Sequence, residues 1–268
     1  METMRIERSP DGQVAEVVLA GARGNPLGAR FWDELPGVFP GLEEDRDVRS
    51  ILLRAEGRNF CTGLDLASSL SLLAPAGGGA GERADFLRWL RRLQRSISAI
   101  EDCSKPVVAA VQGWCIGGGV DLITAADIRL ASADAMFSVR EVRMAVVSDA
   151  GSLQRLPGIV GEARARHLLL TGEDFDVAAA ERWGLVSAVH ESPEALLTAA
   201  RALCRTLAGL PPLAVQGTKQ MLNASRDLPR REALEHVAAW NTGLLASEDL
   251  TEAMTAFNER RPPRFTGR

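Results

Sequence analysis

The sequence lacks the features that direct a protein to nucleic acid or to a membrane. Its 268 residues carry 31 basic and 35 acidic side chains, a net charge of −4, so it has no overall positive field to attract nucleic acid. No apolar run approaches the ~20 residues that span a bilayer. The N-terminus, METMRIERSPDG, has no charged segment followed by an apolar core. We therefore expect neither nucleic acid nor a membrane as a partner.

The usual metal ligands are also scarce. The four cysteines show no C-x-x-C spacing, and the three histidines lie far apart in the chain. We therefore expect no metal site. Unpaired, reduced cysteines are typical of a cytoplasmic protein, and this is the location that the sequence predicts.

Strand and helix signals alternate along the first two thirds of the chain. Two β-rich runs, at 14–20 and 48–55, flank a segment at 28–45 whose apolar residues have nearly helical spacing. The run KPVVAAVQG at 105–113 is short and almost continuously apolar, which is typical of a strand buried on both faces of a sheet. This order of elements predicts an α/β fold with largely parallel strand pairing.

The last part of the chain has a different character. After residue 192 only helix signals remain, interrupted at Pro211-Pro212 and Pro229. We therefore predict a core domain at 1–195 and a C-terminal helical segment at 196–268. Farther upstream, the stretch LAPAGGGAGE at 73–82 predicts a loop.

A glycine triplet follows the predicted buried strand, in the sequence GGGVD at 117–121. A helix that starts at such glycines presents backbone N–H groups without intrahelical acceptors, which can bind a phosphate or a developing oxyanion. The P-loop and dinucleotide patterns are both absent, because no Lys-Ser or Lys-Thr follows and the G-x-G-x-x-G spacing fails. Close packing of a helix on a strand is the alternative explanation for one glycine triplet.

A second glycine turn strengthens the oxyanion hypothesis. The sequence RNFCTGLDL at 58–66 also follows a strand and opens a predicted helix, and Gly63 leaves the N–H of Leu64 free. Two such backbone donors that meet at one point would form an oxyanion hole.

Six stretches together resemble the crotonase (enoyl-CoA hydratase/isomerase) superfamily, over about 24–267. They are FCTGLDL, KPVVAAVQGWCIGGGVDL, DIRLASADAMFSVREV, LQRLPGIVG, LTGEDFDVAAAERWGLVSAV and EDLTEAMTAFNERRPPRFTG. The resemblance implies a crotonase-like β-β-α spiral core with a C-terminal helical segment that serves trimer assembly or covers the active site. It implies a homotrimer or a dimer of trimers.

The resemblance also implies a substrate and a set of binding residues. The substrate would be an acyl-CoA thioester, whose CoA is part of the substrate, so that no separate cofactor is expected. The N–H groups of Leu64 and Gly118 would stabilise its enolate. Substrate contacts are implied for the neighbouring residues Cys61, Gly63, Asp65 and Gly117.

Three acids then suggest a branch of the superfamily. Its hydratases use two glutamates, and the first of them, just after the glycines and Val120, is replaced here by Asp121, which is one methylene shorter. Asp121, Glu141 and Asp149 together resemble the pattern of the Δ3,5-Δ2,4-dienoyl-CoA isomerases. This implies isomerisation of 3,5-dienoyl-CoA to 2,4-dienoyl-CoA in fatty-acid β-oxidation. Glu141 and Asp149 would transfer the protons, in an order that stays open, and Asp121 would orient one of them or the substrate.

Other functions remain as alternatives at this point. An enoyl-CoA hydratase with a modified acid pair is one, and a noncatalytic acyl-CoA-binding protein is another. With 35 acidic residues in the chain, any single acid is more often a solvated surface group or a helix cap.

Overall fold

A six-stranded sheet forms the centre of the protein, whose computed structural model describes residues 1–21, 23–65 and 78–268. The first two strands pair antiparallel and all other neighbours pair parallel, which confirms the predicted α/β fold. In spatial order its strands are β1 (Met4–Arg8), β2 (Val14–Leu19), β3 (Ser50–Ala55), β4 (Val107–Val111), β6 (Ile128–Ser132) and β9 (Ala188–His190). A smaller sheet consists of β5 (Trp114–Ile116), β7 (Met136–Ser138) and β8 (Asp174–Asp176).

Ten α-helices surround these sheets in the described chain. They are α1 (Ala29–Glu44), α2 (Ala80–Asp102), α3 (Gly118–Thr124), α4 (Ser152–Val160), α5 (Glu162–Thr171), α6 (Val177–Arg182), α7 (Pro193–Ala208), α8 (Pro212–Ala224), α9 (Arg230–Leu244) and α10 (Glu248–Glu259). A short 3-10 turn, Glu141–Met144, follows β7. The last four helices confirm the predicted helical character of the chain after residue 192.

The central sheet is buried on both faces, as the apolar strand at 105–113 predicted. Every residue of β2, β3 and β4 is buried. The one acid among them, Glu16, is compensated by Arg54 and Arg201, each with a guanidinium nitrogen 2.6 Å from a carboxylate oxygen. A buried carboxylate requires such partners, because an uncompensated charge would strongly destabilise the fold.

Helix α7 covers one face of this sheet. Its buried residues Leu196, Ala200 and Cys204 belong to one apolar cluster with Leu52 and Val108 of the central strands. The boundary predicted between 195 and 196 falls within this helix, and the division of the chain into two parts stays a prediction.

The predicted loop at 73–82 is partly wrong. Residues 73–77, like the helix predicted to follow Gly63, lie outside the described residues, but α2 already begins at Ala80. Glu82 favours this start, because its carboxylate accepts a hydrogen bond from the N–H of Gly79 at 2.7 Å. Among the described residues, no helix combines the length and apolar character needed to cross a membrane.

Candidate active site

A cavity of about 100 Å³ lies where α1, α2 and α3 meet the segment that follows β7. Its wall combines large apolar side chains with three acids, all three of which were singled out from the sequence. The lining consists of Leu27, Trp32, Leu64, Phe86, Trp89, Leu90, Leu93, Gly118, Asp121, Glu141, Val146, Asp149 and Ala150.

The two glycine turns meet at this cavity, and backbone pairing brings them together. A β-bridge joins Cys61 of the first turn to Cys115 of β5, and the N–H of Ile116 donates to the carbonyl of Cys61 at 2.9 Å. Leu27 lies against both turns, since it bridges Leu64 and its side chain fills the space beside the Cα of Gly118. Leu64 and Gly118 thus line one cavity, the arrangement that an oxyanion hole requires.

Gly118 is the first residue of α3, so its N–H has no acceptor within the helix. The preceding residue, Gly117, has φ +53°, a left-handed conformation that glycine adopts without strain. A Cβ on Gly117 would lie 3.0 Å from Oε1 of Glu141. The Glu141 carboxyl group therefore packs against the bare Cα next to the candidate oxyanion donor.

Asp121 is the most deeply buried of the three acids, with 1% of its surface exposed. Its Oδ1 accepts a hydrogen bond from the N–H of Ser152 at 2.6 Å, at the start of α4. Burial raises the pKa of Asp121 from 3.8 to about 7, and the negative charges of Glu141 and Asp149 add to the rise.

Partial desolvation also raises the pKa of the other two acids, although Glu141 is only half-buried and Asp149 is exposed by its accessible surface. For Glu141 the charge of Asp149 adds to this effect, while a hydrogen bond with Ser148 opposes it. Oε2 of Glu141 is buried without a hydrogen-bond partner among the described residues. Since mutual repulsion disfavours three ionised carboxylates in one cavity, the site can hold proton donors and acceptors together.

The residues proposed for substrate contact divide into two groups. Cys61, Gly63 and Gly117 lie behind the cavity wall and shape the two turns, whereas the half-exposed Asp65 follows Leu64 directly. The side chain of Cys61 is fully buried and its Sγ accepts a hydrogen bond from the N–H of Gly63 at 3.4 Å, so a contact of this residue with the substrate would involve its backbone and stays a prediction. Burial raises the pKa of its thiol to about 12, so the side chain is a packing group. For the other three residues the contact likewise stays a prediction.

Sequence reasoning missed the apolar wall of the cavity. Trp32 comes from α1, and a larger part of the wall comes from one side of α2, where Phe86 and Trp89 are followed by Leu90 and Leu93. Their spacing of three and four residues is the signal that could have revealed this face.

Comparisons with known proteins agree with this geometry. The sequence profile of the family described as "Enoyl-CoA hydratase/isomerase" matches residues 11–268. The peroxisomal Delta(3,5)-Delta(2,4)-dienoyl-CoA isomerase of Arabidopsis thaliana is 42% identical over 97% of this chain and 95% of its own length. The mitochondrial enzyme of that name from Dictyostelium discoideum is 40% identical over 98% of this chain and 90% of its own. The crystal structure of an enoyl-CoA hydratase from Bacillus anthracis matches with a TM-score of 0.90 and 26% identity, covering 99% of this chain and 100% of that one.

The predicted cytoplasmic location is contradicted by these relatives, whose names place them in peroxisomes or mitochondria. The prediction depended on reduced cysteines. All four cysteines are buried and free. Buried thiols can stay reduced in any compartment, so they do not distinguish the cytoplasm from the inside of an organelle.

Proposed function

Because the chain belongs to the enoyl-CoA hydratase/isomerase family, we propose that it isomerises a 3,5-dienoyl-CoA to the 2,4-dienoyl-CoA. One observation carries the proposal: Asp121, Glu141 and Asp149 share a cavity wall with Leu64 and Gly118, and the pKa of each acid is raised. Similarity to dienoyl-CoA isomerases over nearly the whole chain supports it.

Glu141 is the proposed base at the thioester end of the substrate. Its contact with Gly117 supports this assignment, because the carboxyl group lies next to the donor that would hold the thioester oxygen. Its carboxylate would take a proton from C2, and the electron pair left by the broken C–H bond would spread over C2 to C6 and the thioester carbonyl. The N–H groups of Leu64 and Gly118 would stabilise the negative oxygen.

Asp149 is the proposed acid at the distal end. Partial desolvation in the cavity wall raises its pKa although the residue as a whole is exposed, and the raised pKa favours the protonated form that this step needs. The carboxylic acid would donate its proton to C6 as the double bonds move from the 3,5 to the 2,4 positions. The cycle then leaves Glu141 protonated and Asp149 ionised, so a proton must return between them before the next turnover.

Asp121 is proposed to orient Asp149. Its carboxyl group does not need to meet the substrate, since it binds the N–H of Ser152, three residues beyond Asp149. The bond therefore connects α3, which carries the candidate oxyanion donor, to the segment that carries the distal acid.

The test is to incubate the protein separately with a 3,5-dienoyl-CoA and a 2-enoyl-CoA. We expect conversion of the 3,5-dienoyl-CoA, which is monitored through the diene absorbance. We expect little addition of water to the 2-enoyl-CoA. Fast hydration without a diene shift would overturn the proposal in favour of a hydratase. Binding of both thioesters without either reaction would favour a noncatalytic acyl-CoA-binding protein.

We also propose a homotrimer or a dimer of trimers. Every residue of α9 is at least partly exposed, and large apolar side chains near the C-terminus face outward, such as Leu245, Met254 and Phe257. Such a surface supports burial against another subunit. Light scattering on the eluting protein tests the proposal, and a monomer at micromolar concentration would contradict it.

A further inference from the structure

The distal acid lies in a segment with little regular structure of its own. Residues 146–149, between the 3-10 turn and α4, belong to neither a helix nor a strand. The position of Asp149 therefore depends on bonds from neighbouring elements, since no ladder or helical turn fixes its backbone.

A polar stripe on α2 provides these bonds. Gln94, Ser98 and Glu101 are spaced by four and three residues, so they lie on one side of the helix. Nε2 of Gln94 donates a hydrogen bond to the backbone carbonyl of Asp149 at 2.7 Å. Farther along, Oγ of Ser98 and the carboxylate of Glu101 accept hydrogen bonds from Arg155 at 3.0 Å and 2.7 Å.

Arg155 extends this support to the other side of Asp149. Its guanidinium lies directly against Gly151, where an added Cβ would be 1.9 Å from Nη1. Gly151 has φ +125°, a backbone conformation that glycine adopts readily. The backbone is thus hydrogen-bonded at Asp149 and packed against Arg155 two residues later, and both contacts involve the same stripe of α2.

We propose that Gln94 is a positioning residue for Asp149 and controls the distal proton transfer. This inference rests on the proposed function, which assigns protonation of C6 to Asp149. Gln94 bonds to the main chain and carries no charge, so its loss would move the acid without changing the number of charges in the cavity. Removal of a proton at C2 by Glu141 should be affected less, because Glu141 belongs to the 3-10 turn and packs against Gly117, although it also hydrogen-bonds Ser148 beside Asp149.

Three variants test this role. Gln94→Met keeps the length of the side chain but removes the donor. Gln94→Asn keeps an uncharged amide donor on a side chain one methylene shorter. Arg95→Met is the matched control, because Arg95 is the next residue on the same helix and is exposed.

Two rates are measured for each variant in D₂O: formation of the 2,4-diene, and exchange of the C2 hydrogens in recovered 3,5-dienoyl-CoA. For Gln94→Met we expect kcat of isomerisation to fall about tenfold, with KM within about twofold and C2 exchange near the wild-type rate. Gln94→Asn should recover part of the lost kcat, and Arg95→Met should match the wild type. Melting temperatures show whether each variant folds.

Other outcomes would overturn the inference. An unchanged kcat in Gln94→Met, or an equal loss of C2 exchange and isomerisation, would mean that Gln94 has no specific effect on Asp149. If Gln94→Met does not fold, a folded Gln94→Asn variant with wild-type kcat, or with equal losses of C2 exchange and isomerisation, would overturn the inference in the same way. A wild-type protein that neither exchanges nor isomerises the thioester would instead overturn the proposed function, and this inference with it.

Discussion

The two ends of the cavity are built in different ways. At the end with the candidate oxyanion hole, backbone pairing holds the turns: Cys61 bridges Cys115, and Leu27 bridges Leu64. At the distal end, side chains hold an irregular segment, through the bonds of Gln94 to Asp149 and of Asp121 to Ser152.

This difference predicts how each end responds to mutation. Backbone donors cannot be removed by changing a side chain, so the first end is sensitive mainly where a new Cβ would displace a neighbour. The distal end depends on individual side chains, so single polar substitutions should affect it selectively. The following substitutions test this contrast.

The largest effect is expected from removing the distal acid itself. Asp149→Asn retains the shape but cannot donate a proton to C6, so isomerisation should fall by about 10³-fold, within the range of general acid catalysis. Binding of the acyl-CoA should stay within a few-fold of the wild type, measured by calorimetry. Glu141→Gln is the matched variant at the other proton-transfer position, and it should also abolish exchange at C2. An active Asp149→Asn protein would remove Asp149 from the mechanism.

A methyl group at the backbone end should have the next largest effect. In Gly117→Ala the new Cβ would lie 3.0 Å from Oε1 of Glu141, and a non-glycine residue would be strained at φ +53°. We expect kcat and C2 exchange to fall together, by about 10- to 100-fold. Gly158→Ala is a suitable control, since its added Cβ meets no atom within 4 Å. Loss of isomerisation with normal C2 exchange would contradict the assignment of Glu141 to C2.

The same contrast explains how much the sequence could predict. The strand at 105–113 and the glycines that follow it are local signals, because a buried strand and a free helix N-terminus are encoded in adjacent residues. The three acids were recognised through their spacing within a familiar pattern. The largely parallel character of the sheet and the helices after residue 192 were predictable from the order of such local signals, whereas the strand order was not.

Tertiary contacts account for what was missed. Gln94 is an ordinary polar residue of a helix, and its bond to a carbonyl 55 residues away leaves no local trace. The apolar wall from Phe86 to Leu93 resembles any amphipathic helix until α2 is seen to face the cavity. Cys61 was assigned to the substrate through the family resemblance, and only the fold shows that its side chain belongs to the protein core.

A pH-dependent effect on stability is expected from Asp121, which connects the two ends. Its folded pKa, about 7, is above its ordinary value of 3.8, so the folded protein binds more protons than the unfolded chain between these values. The free energy of unfolding should therefore fall as pH rises from about 4 to 7, by up to about 4 kcal/mol from this group. Asp121→Asn should remove that decline while keeping an acceptor for Ser152. Urea unfolding at several pH values measures the free energy of unfolding. An equal dependence of this free energy on pH in the wild type and in Asp121→Asn would contradict the raised pKa of Asp121.

The smallest effect is expected at the apolar wall, which belongs to neither end. Trp89 lines the cavity but is only partly buried, so Trp89→Leu should enlarge the space for the acyl chain without moving the carboxylates or the oxyanion donors. For short substrates we expect kcat to stay within about twofold, while kcat/KM for longer chains rises about threefold, a modest change because apolar pockets discriminate weakly per methylene. A series of dienoyl-CoA substrates of increasing length measures this shift. A large loss of kcat at every chain length would show that Trp89 supports the catalytic groups. The apolar wall would then belong to one of the two ends of the cavity.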